Sequence, residues 1–268
     1  MDKTRSFLRW AGSKQKLLPI LGGYWKPSFK RYFEPFMGSA QLFFHLDTDC
    51  AILSDTNSHL VEVFNQIKKN PYPIHAILRV MPISAVEYYR VRALHPAKLG
   101  INQRAARFLY LNRLCFNGLY RTNLNGNFNV PYSGESPACL LEYSILKNAS
   151  GKLQTAKIVQ GDFEQIVLKN VRKGDFVYLD PPYAIENVRI FRQYGPQTFG
   201  RFDLLRLKNL LDVIHTRGAS FLLSYAHSAD AKSLFSDWHS DETSTTRNIS
   251  GFAKYRRREK ELLITNIE

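Results

Sequence analysis

Apolar residues in this chain fall into two kinds of run. Short, nearly continuous ones close on a polar or turn residue: Tyr32-Phe33, Ala51-Ile52-Leu53, Ala156-Lys157-Ile158-Val159 and Phe176-Val177-Tyr178-Leu179, then residues 220–224 and 261–265. Their length and aromatic or branched content predict strands. Between them, apolar positions recur at helical spacing after Leu17, over 42–46, over 60–80 with a break at Asn70-Pro71-Tyr72-Pro73, and over 85–94, 103–114, 202–215 and 229–235. Strand and helix alternate early, stop for a long helical excursion, and resume at 156. Parallel strands are joined by compact crossovers, so the pattern predicts an α/β fold with an inserted, mostly helical segment.

Several strand ends carry chemistry. The run 176–179 stops at Asp180-Pro181-Pro182-Tyr183. Two prolines cannot donate ladder hydrogen bonds, and each holds its predecessor extended, so a stiff corner is expected at the carboxyl end of a strand. A carboxylate and nearby main-chain carbonyls there suit a neutral amino group carrying two hydrogens, and the Tyr183 ring suits a planar base. A plain strand end with a proline turn is the other reading.

The first strand ends at Glu34-Pro35-Phe36-Met37-Gly38-Ser39-Ala40. Small residues after a first strand let a ligand approach the backbone, as in nucleoside sites. With Gly38 the sole glycine and no Lys-Ser/Thr phosphate loop following, a nucleoside fits better than a dinucleotide or triphosphate. The second strand ends at Asp55, where ribose hydroxyls are gripped in such folds, although Asp55 is also placed to cap the next helix. Asp162-Phe163, after the run at 156–159, offers an acid and a ring to a purine, or a helix cap. At the front of the chain, Trp10-Ala11-Gly12-Ser13-Lys14 reads as a loop entering a helix, with Ser13 as its cap and Lys14 beside an anion-favouring N-terminus.

Charge narrows the partner. Lys and Arg number 37 against 23 Asp and Glu, a net charge of +14, and such a field attracts polyanions, nucleic acid above all. The insert is rich in side chains that read base edges or hold phosphates, from Phe116 through Asn117, Tyr120, Arg121, Asn123, the turn signal Asn125-Gly126, Asn127 and Pro131. Arg113 lies on the helix before it, and Lys254 and Arg256 lie in a basic loop before the last strand. The polar, aromatic stretch 185–199 is expected to be mobile or to face substrate. No apolar run reaches the ~20 residues needed to span a bilayer. Three scattered cysteines (Cys50, Cys115, Cys139) and an N-terminus without a signal-peptide core predict reduced thiols and a cytoplasmic, nucleoid-associated protein. The seven histidines are dispersed, and no metal is expected.

With these pieces in place the chain resembles the Dam-type, D12-class DNA adenine-N6 methyltransferases over most of its length. The resemblance rests on Phe-Leu-Arg-Trp-Ala-Gly-Ser-Lys at 7–14, Phe-Glu-Pro-Phe-Met-Gly-Ser-Ala at 33–40, Asp55, Arg-Thr-Asn-Leu-Asn-Gly-Asn-Phe-Asn-Val-Pro at 121–131, Tyr-Leu-Asp-Pro-Pro-Tyr at 178–183, and the basic C-terminal loop. It implies a Rossmann-like sheet formed by 1–58 and 152–268, with 59–151 as the target-recognition domain. It implies S-adenosylmethionine contacts at Trp10, Lys14, Glu34, Pro35, Phe36, Gly38, Ser39, Ala40, Asp55, Asp162, Phe163 and Asp180. Catalysis is expected at Asp180, Pro181, Pro182 and Tyr183. Contacts to double-stranded DNA are expected at Arg9, Arg113, Asn117, Tyr120, Arg121, Asn123, Asn125, Asn127, Pro131, Lys254 and Arg256.

S-adenosylhomocysteine would be the product, GATC is the leading recognition sequence, and a restriction endonuclease for the same site is a further expected partner. Two departures are visible: Ala40 where a further glycine is common, and Asn125 where a basic residue often stands. An RNA-adenine or protein-amide methyltransferase, and a catalytically silent DNA-binding module, are the competing readings.

Overall fold

The computed structural model describes residues 4–134, 137, 139–182, 199–246 and 258–267. Its centre is a seven-stranded sheet: β1 (Tyr32–Glu34), β2 (Ala51–Asp55), β3 (Ala156–Gln160), β4 (Phe176–Leu179), β5 (Ser220–Ala226), β6 (His239–Thr246) and β7 (Arg258–Thr265). The strand order is β3-β2-β1-β4-β5-β7-β6. All neighbours are parallel except β7, which runs antiparallel to both β5 and β6. This is a Rossmann-like α/β sheet. The sequence order reverses between β1 and β4, and a crevice opens outside the carboxyl ends of strands at such a reversal.

Burial explains the order. Every residue of β1 and β4 is buried, as central strands covered on both faces require. The sequence of β6, His-Ser-Asp-Glu-Thr-Ser-Thr-Thr, is polar throughout, which suits the edge it occupies. Alternate residues feed two cores. Tyr32, Leu53, Phe176, Tyr178, Leu222 and Leu263 join one; Phe33, Ile52, Val177, Leu179, Phe221 and Leu223 join the other.

The second core is closed by α8 (Phe163–Asn170), α9 (Arg201–Thr216) and α10 (Ala229–Leu234). The first is closed by α1 (Leu18–Gly23), α2 (Gln41–His45) and the five helices between β2 and β3. These are α3 (Ser58–Lys69), α4 (Tyr72–Leu78), α5 (Ala85–Ala93), α6 (Ile101–Leu114) and α7 (Tyr143–Leu153). The helical segment therefore shares a continuous core with one face of the sheet. Residues as far into it as Tyr88 and Tyr110 belong to the same cluster as Phe176. The predicted break separates α3 from α4 but is shorter than 70–73: only Asn70 and Pro71 lie outside the helices, and Pro73 sits in the first turn of α4, where its missing amide costs nothing.

One expected cap is absent. Ser13 caps nothing: the chain enters a 3-10 turn at Gln15–Leu17 with Lys14 in the cap position and no side-chain hydrogen bond, and α1 starts only at Leu18. The cap of α3 is Asn57, whose Oδ1 accepts from the amides of His59 and Leu60 at 3.1 and 3.2 Å. Asp55 is thereby released from capping. Among the described residues no helix is long and apolar enough to cross a membrane.

Candidate active site and nucleic-acid interface

The carboxyl ends of β1, β2 and β4 converge on the crevice. After β1 the chain turns sharply through Gly38 (φ +44°) and Ala40 (φ +50°). The Asp55 carboxylate fastens this turn, accepting from the Gly38 amide at 3.2 Å and the Asn57 amide at 2.9 Å. Burial pushes the Asp55 pKa up against those two amides, which hold it down. The Trp10 indole lies on Gly38, so close that a β-carbon there would stand 2.9 Å from Trp10 Cδ1. Ser39 is tied to the N-terminal segment by a 2.6 Å hydrogen bond from Ser6 Oγ to its carbonyl. Glycine at 38 is thus a steric requirement, whereas Ala40 adopts the left-handed conformation with its methyl buried.

At the end of β4, Asp180 is paired with Lys14, Nζ to Oδ1 3.2 Å, and Pro181 behind it is buried. Lys14 also meets Glu261 of β7 at 3.1 Å, and both side chains are almost inaccessible (6% and 2%) against 22% for Asp180. The lysine is thus not awaiting an anion; the protein's own carboxylates already hold it. Tyr183, like the stretch 185–198 and the loop holding Lys254 and Arg256, lies outside the described residues.

Glu34, at the tip of β1, is 4% exposed and accepts a 2.9 Å hydrogen bond from the Tyr32 hydroxyl. Burial, with the nearby Asp180 charge adding to it, raises its pKa to about 8, although the Tyr32 hydroxyl pulls the other way. An acid that binds its proton more tightly folded than unfolded loses stability as pH rises from its ordinary value of 4.5 to about 8, and then levels off. Glu34→Gln is therefore expected to remove a slope of about 1.4 kcal/mol per pH unit from stability in that window. Thermal melting of both proteins between those limits checks this; parallel curves would contradict it.

On the far side of β2, Asp162 caps α8, its Oδ1 accepting from the Glu164 amide at 3.1 Å. The same oxygen is held by Arg206 of α9, which also pairs with Glu164 and Asp203. Burial works to lower the Arg206 pKa, but the three carboxylates overrule it and raise it. Phe163 is buried, stacked on Phe36 at 4.9 Å, with the Arg206 guanidinium 4.8 Å from its ring centre. Phe36, half-buried beside Pro35, is the more accessible ring of the pair.

The segment between β2 and β3 meets this crevice at Trp10. Its ring stacks on Tyr120 at 5.8 Å and on Phe108 at 6.4 Å, so Tyr120 links the Gly38 turn to the polar loop. Desolvation raises the Tyr120 pKa. Asn112 of α6 straps the N-terminal segment down by accepting from the Arg9 amide at 3.0 Å and donating to the Arg9 carbonyl at 2.6 Å. Gly118 (φ +62°) packs on Arg9, where a β-carbon would come within 2.7 Å of the arginine's own.

Beyond it the loop closes as a narrow hairpin, bridged at Cys115–Tyr132 and Thr122–Phe128 rather than by a continuous ladder. Asn117, Arg121, Asn123, Asn125, Asn127 and Pro131 are exposed along it. Three expected contacts already have work within the fold, among them Arg9, whose Nη1 donates to the Arg113 carbonyl at 3.2 Å. Asn123 Oδ1 accepts from the amides of Asn125 and Asn127, both at 3.0 Å, and so shapes the turn. Arg113 Nε donates to the Leu140 carbonyl at 2.7 Å, which turns it inward. Arg121 is steadied by Asn129, Nε to Oδ1 2.7 Å.

The sequence of the chain, compared with known proteins, agrees with this arrangement. The model of the D12 class N6 adenine-specific DNA methyltransferase family matches residues 10–249. This chain belongs to that family. Among its relatives is a type II methyltransferase, M1.LlaDCHI, of Lactococcus lactis subsp. cremoris, 32% identical over 271 residues, covering 98% of this chain and 95% of the relative. Another is the type II methyltransferase M.MjaIII of Methanocaldococcus jannaschii, 32% identical over 250 residues and covering 85% and 86%. The DNA adenine methylase of Serratia marcescens is 30% identical over 267 residues, covering 95% and 97%. As a D12-class methyltransferase the chain is an adenine-specific DNA-modifying enzyme with DNA as its substrate.

Four residues at this site escaped the sequence reading: Arg206, Asn112, Glu261, and Ser224, whose hydroxyl donates to Glu261 at 3.0 Å. Only Glu261 left a signal there, an acid directly preceding the apolar Leu262-Leu263-Ile264.

Proposed function

We propose that this methyltransferase transfers a methyl group from S-adenosylmethionine to the N6 amino group of an adenine extruded from duplex DNA. The observation that carries the proposal is the position of Asp180, at the end of β4 where the strand order reverses, close enough to Glu34 at the tip of β1 to act on its charge. The residues present fit the methyl donor. A tight turn at Gly38 with an indole packed directly on it, fastened by an acid at the tip of β2, suits a nucleoside bearing a small charged tail.

When bound, S-adenosylmethionine supplies an electrophilic methyl group. The protein's part is positioning. The N6 amine of adenine is a weak nucleophile because its lone pair is delocalised into the ring. Asp180 and the Pro181 carbonyl would accept one hydrogen each from it, favouring a pyramidal, electron-rich nitrogen. Holding that nitrogen in line with the methyl group accounts for most of the acceleration, and no covalent enzyme intermediate is needed. A paired adenine cannot reach this corner, so the base leaves the stack, with Tyr183 proposed to cover it.

DNA would be held by the exposed hairpin, Arg9 and the basic loop containing Lys254 and Arg256, with Asn117, Tyr120, Arg121 and Pro131 nearest the bases. GATC is proposed as the site, in the cytoplasm, within a restriction–modification pair or as a solitary enzyme. Arg121→Ala is expected to weaken DNA binding about tenfold and to lower the salt dependence of affinity by about one ion. Titrations at several salt concentrations check it; an unchanged affinity and slope would point the hairpin away from DNA.

The test of the reading is to offer labelled S-adenosylmethionine with duplex DNA, RNA or protein. Label in DNA alone is expected; label in RNA or protein alone, or in none, would sink it.

A further inference from the structure

The Asp180 corner is braced from a strand that no sequence motif marks. Glu261 stands in β7 opposite Ala226 of β5, directly before three buried apolar residues. A carboxylate that is 2% exposed is costly to keep unless it is paired and hydrogen-bonded, and both conditions are met. Glu261 takes the Lys14 ammonium on both oxygens, at 3.2 and 3.1 Å, and accepts from the buried Ser224 hydroxyl at 3.0 Å. Lys14 in turn reaches Asp180 Oδ1. A buried ion pair is weak evidence of stabilisation, because packed apolar residues in its place are often as stable. The chain of contacts from Ser224 through Glu261 and Lys14 to Asp180 therefore calls for a reason beyond stability.

We infer that Glu261, steadied by Ser224, is a positioning residue for methyl transfer, holding Lys14 so that Lys14 fixes the orientation of the Asp180 carboxylate. A lysine on its four-carbon stem would by itself leave that carboxylate loosely oriented. Anchored from behind by Glu261, the ammonium becomes a fixed donor to one oxygen. Among the described residues two carboxylates share this one ammonium, so the lysine is divided between them and not given wholly to Asp180. This inference rests on the role proposed above for Asp180.

The test is single-turnover methyl transfer from preformed complexes of full-length protein, duplex DNA and S-adenosylmethionine. Glu261→Gln, which keeps shape and removes charge, is expected to slow the step roughly 10- to 100-fold while DNA affinity stays within about twofold. In a Lys14→Met background the same substitution is expected to change the rate by less than about twofold, since its effect passes through the lysine. A full-rate Glu261→Gln protein, or an equal loss in both backgrounds, would overturn the inference. Should Glu261→Gln fail to fold by thermal melting, Ser224→Ala carries the test, with a several-fold slower step expected and an unchanged one overturning it. Wild-type protein that forms no N6-methyladenine would remove the Asp180 reading and this inference together. Methylation by the wild type with a full-rate variant would remove the inference alone.

Discussion

Asp180→Ala is expected to slow methyl transfer by roughly 10²- to 10³-fold, the loss typical when one preorganised polar group is removed from a reacting centre. The protein should nevertheless fold. Lys14 would still be paired with Glu261, so no buried charge is stranded, and Pro181 continues to fix the corner. DNA affinity should remain within about tenfold, because contacts to phosphates carry most of it and Asp180 makes none in the proposed mechanism. Single-turnover rates alongside equilibrium DNA binding separate the two quantities. A variant that keeps its rate would remove Asp180 from the mechanism, and one that loses DNA binding in proportion would make it a binding residue instead.

Gly38→Ala should act on the other half of the site. Two effects are available, and their sizes differ. Left-handed backbone costs an alanine about 1 kcal/mol, yet Ala40 adopts it two residues later, so strain alone is tolerable here. The collision is the larger effect. The new methyl would stand 2.9 and 3.0 Å from Trp10 Cδ1 and Nε1, and the indole is backed by Tyr120 and Phe108, so it has little room to retreat. Relief must come from the turn itself, which breaks the Gly38–Asp55 hydrogen bond. Affinity for S-adenosylhomocysteine, measured by calorimetry, is expected to fall by more than about tenfold, with melting lowered by a few degrees. Ala40→Gly, which removes a methyl group and so creates no collision, should keep its affinity. Equal behaviour of the two variants would show that the turn does not cradle the ligand.

What the sequence disclosed was local. Strands such as 51–55 and 176–179 are legible because their apolar runs stop at residues that cannot continue a strand, and the corner at Asp180-Pro181 follows from proline geometry alone. The Gly38 turn and Asp55 at the next strand tip were legible for the same reason, and the structure joins them by a hydrogen bond. What stayed hidden depends on contacts distant in sequence. Lys14 and Glu261 are separated by 247 residues, and Arg9 and Asn112 by 103. No local pattern reports such pairs. Asp162 shows the limit from the other side: an acid before an apolar helix satisfies a cap and a purine equally well on paper. The structure shows the cap, together with an arginine from α9 that no spacing predicts.

The most direct measurement is the identity of the methylated nucleoside. Duplex DNA incubated with the purified protein and S-adenosylmethionine, then digested and analysed by mass spectrometry, is predicted to contain N6-methyl-2′-deoxyadenosine and no methylcytosine. The same DNA treated with Asp180→Ala protein should contain almost none. Methylcytosine as the product, or no methylated nucleoside in DNA of varied sequence, would contradict the account.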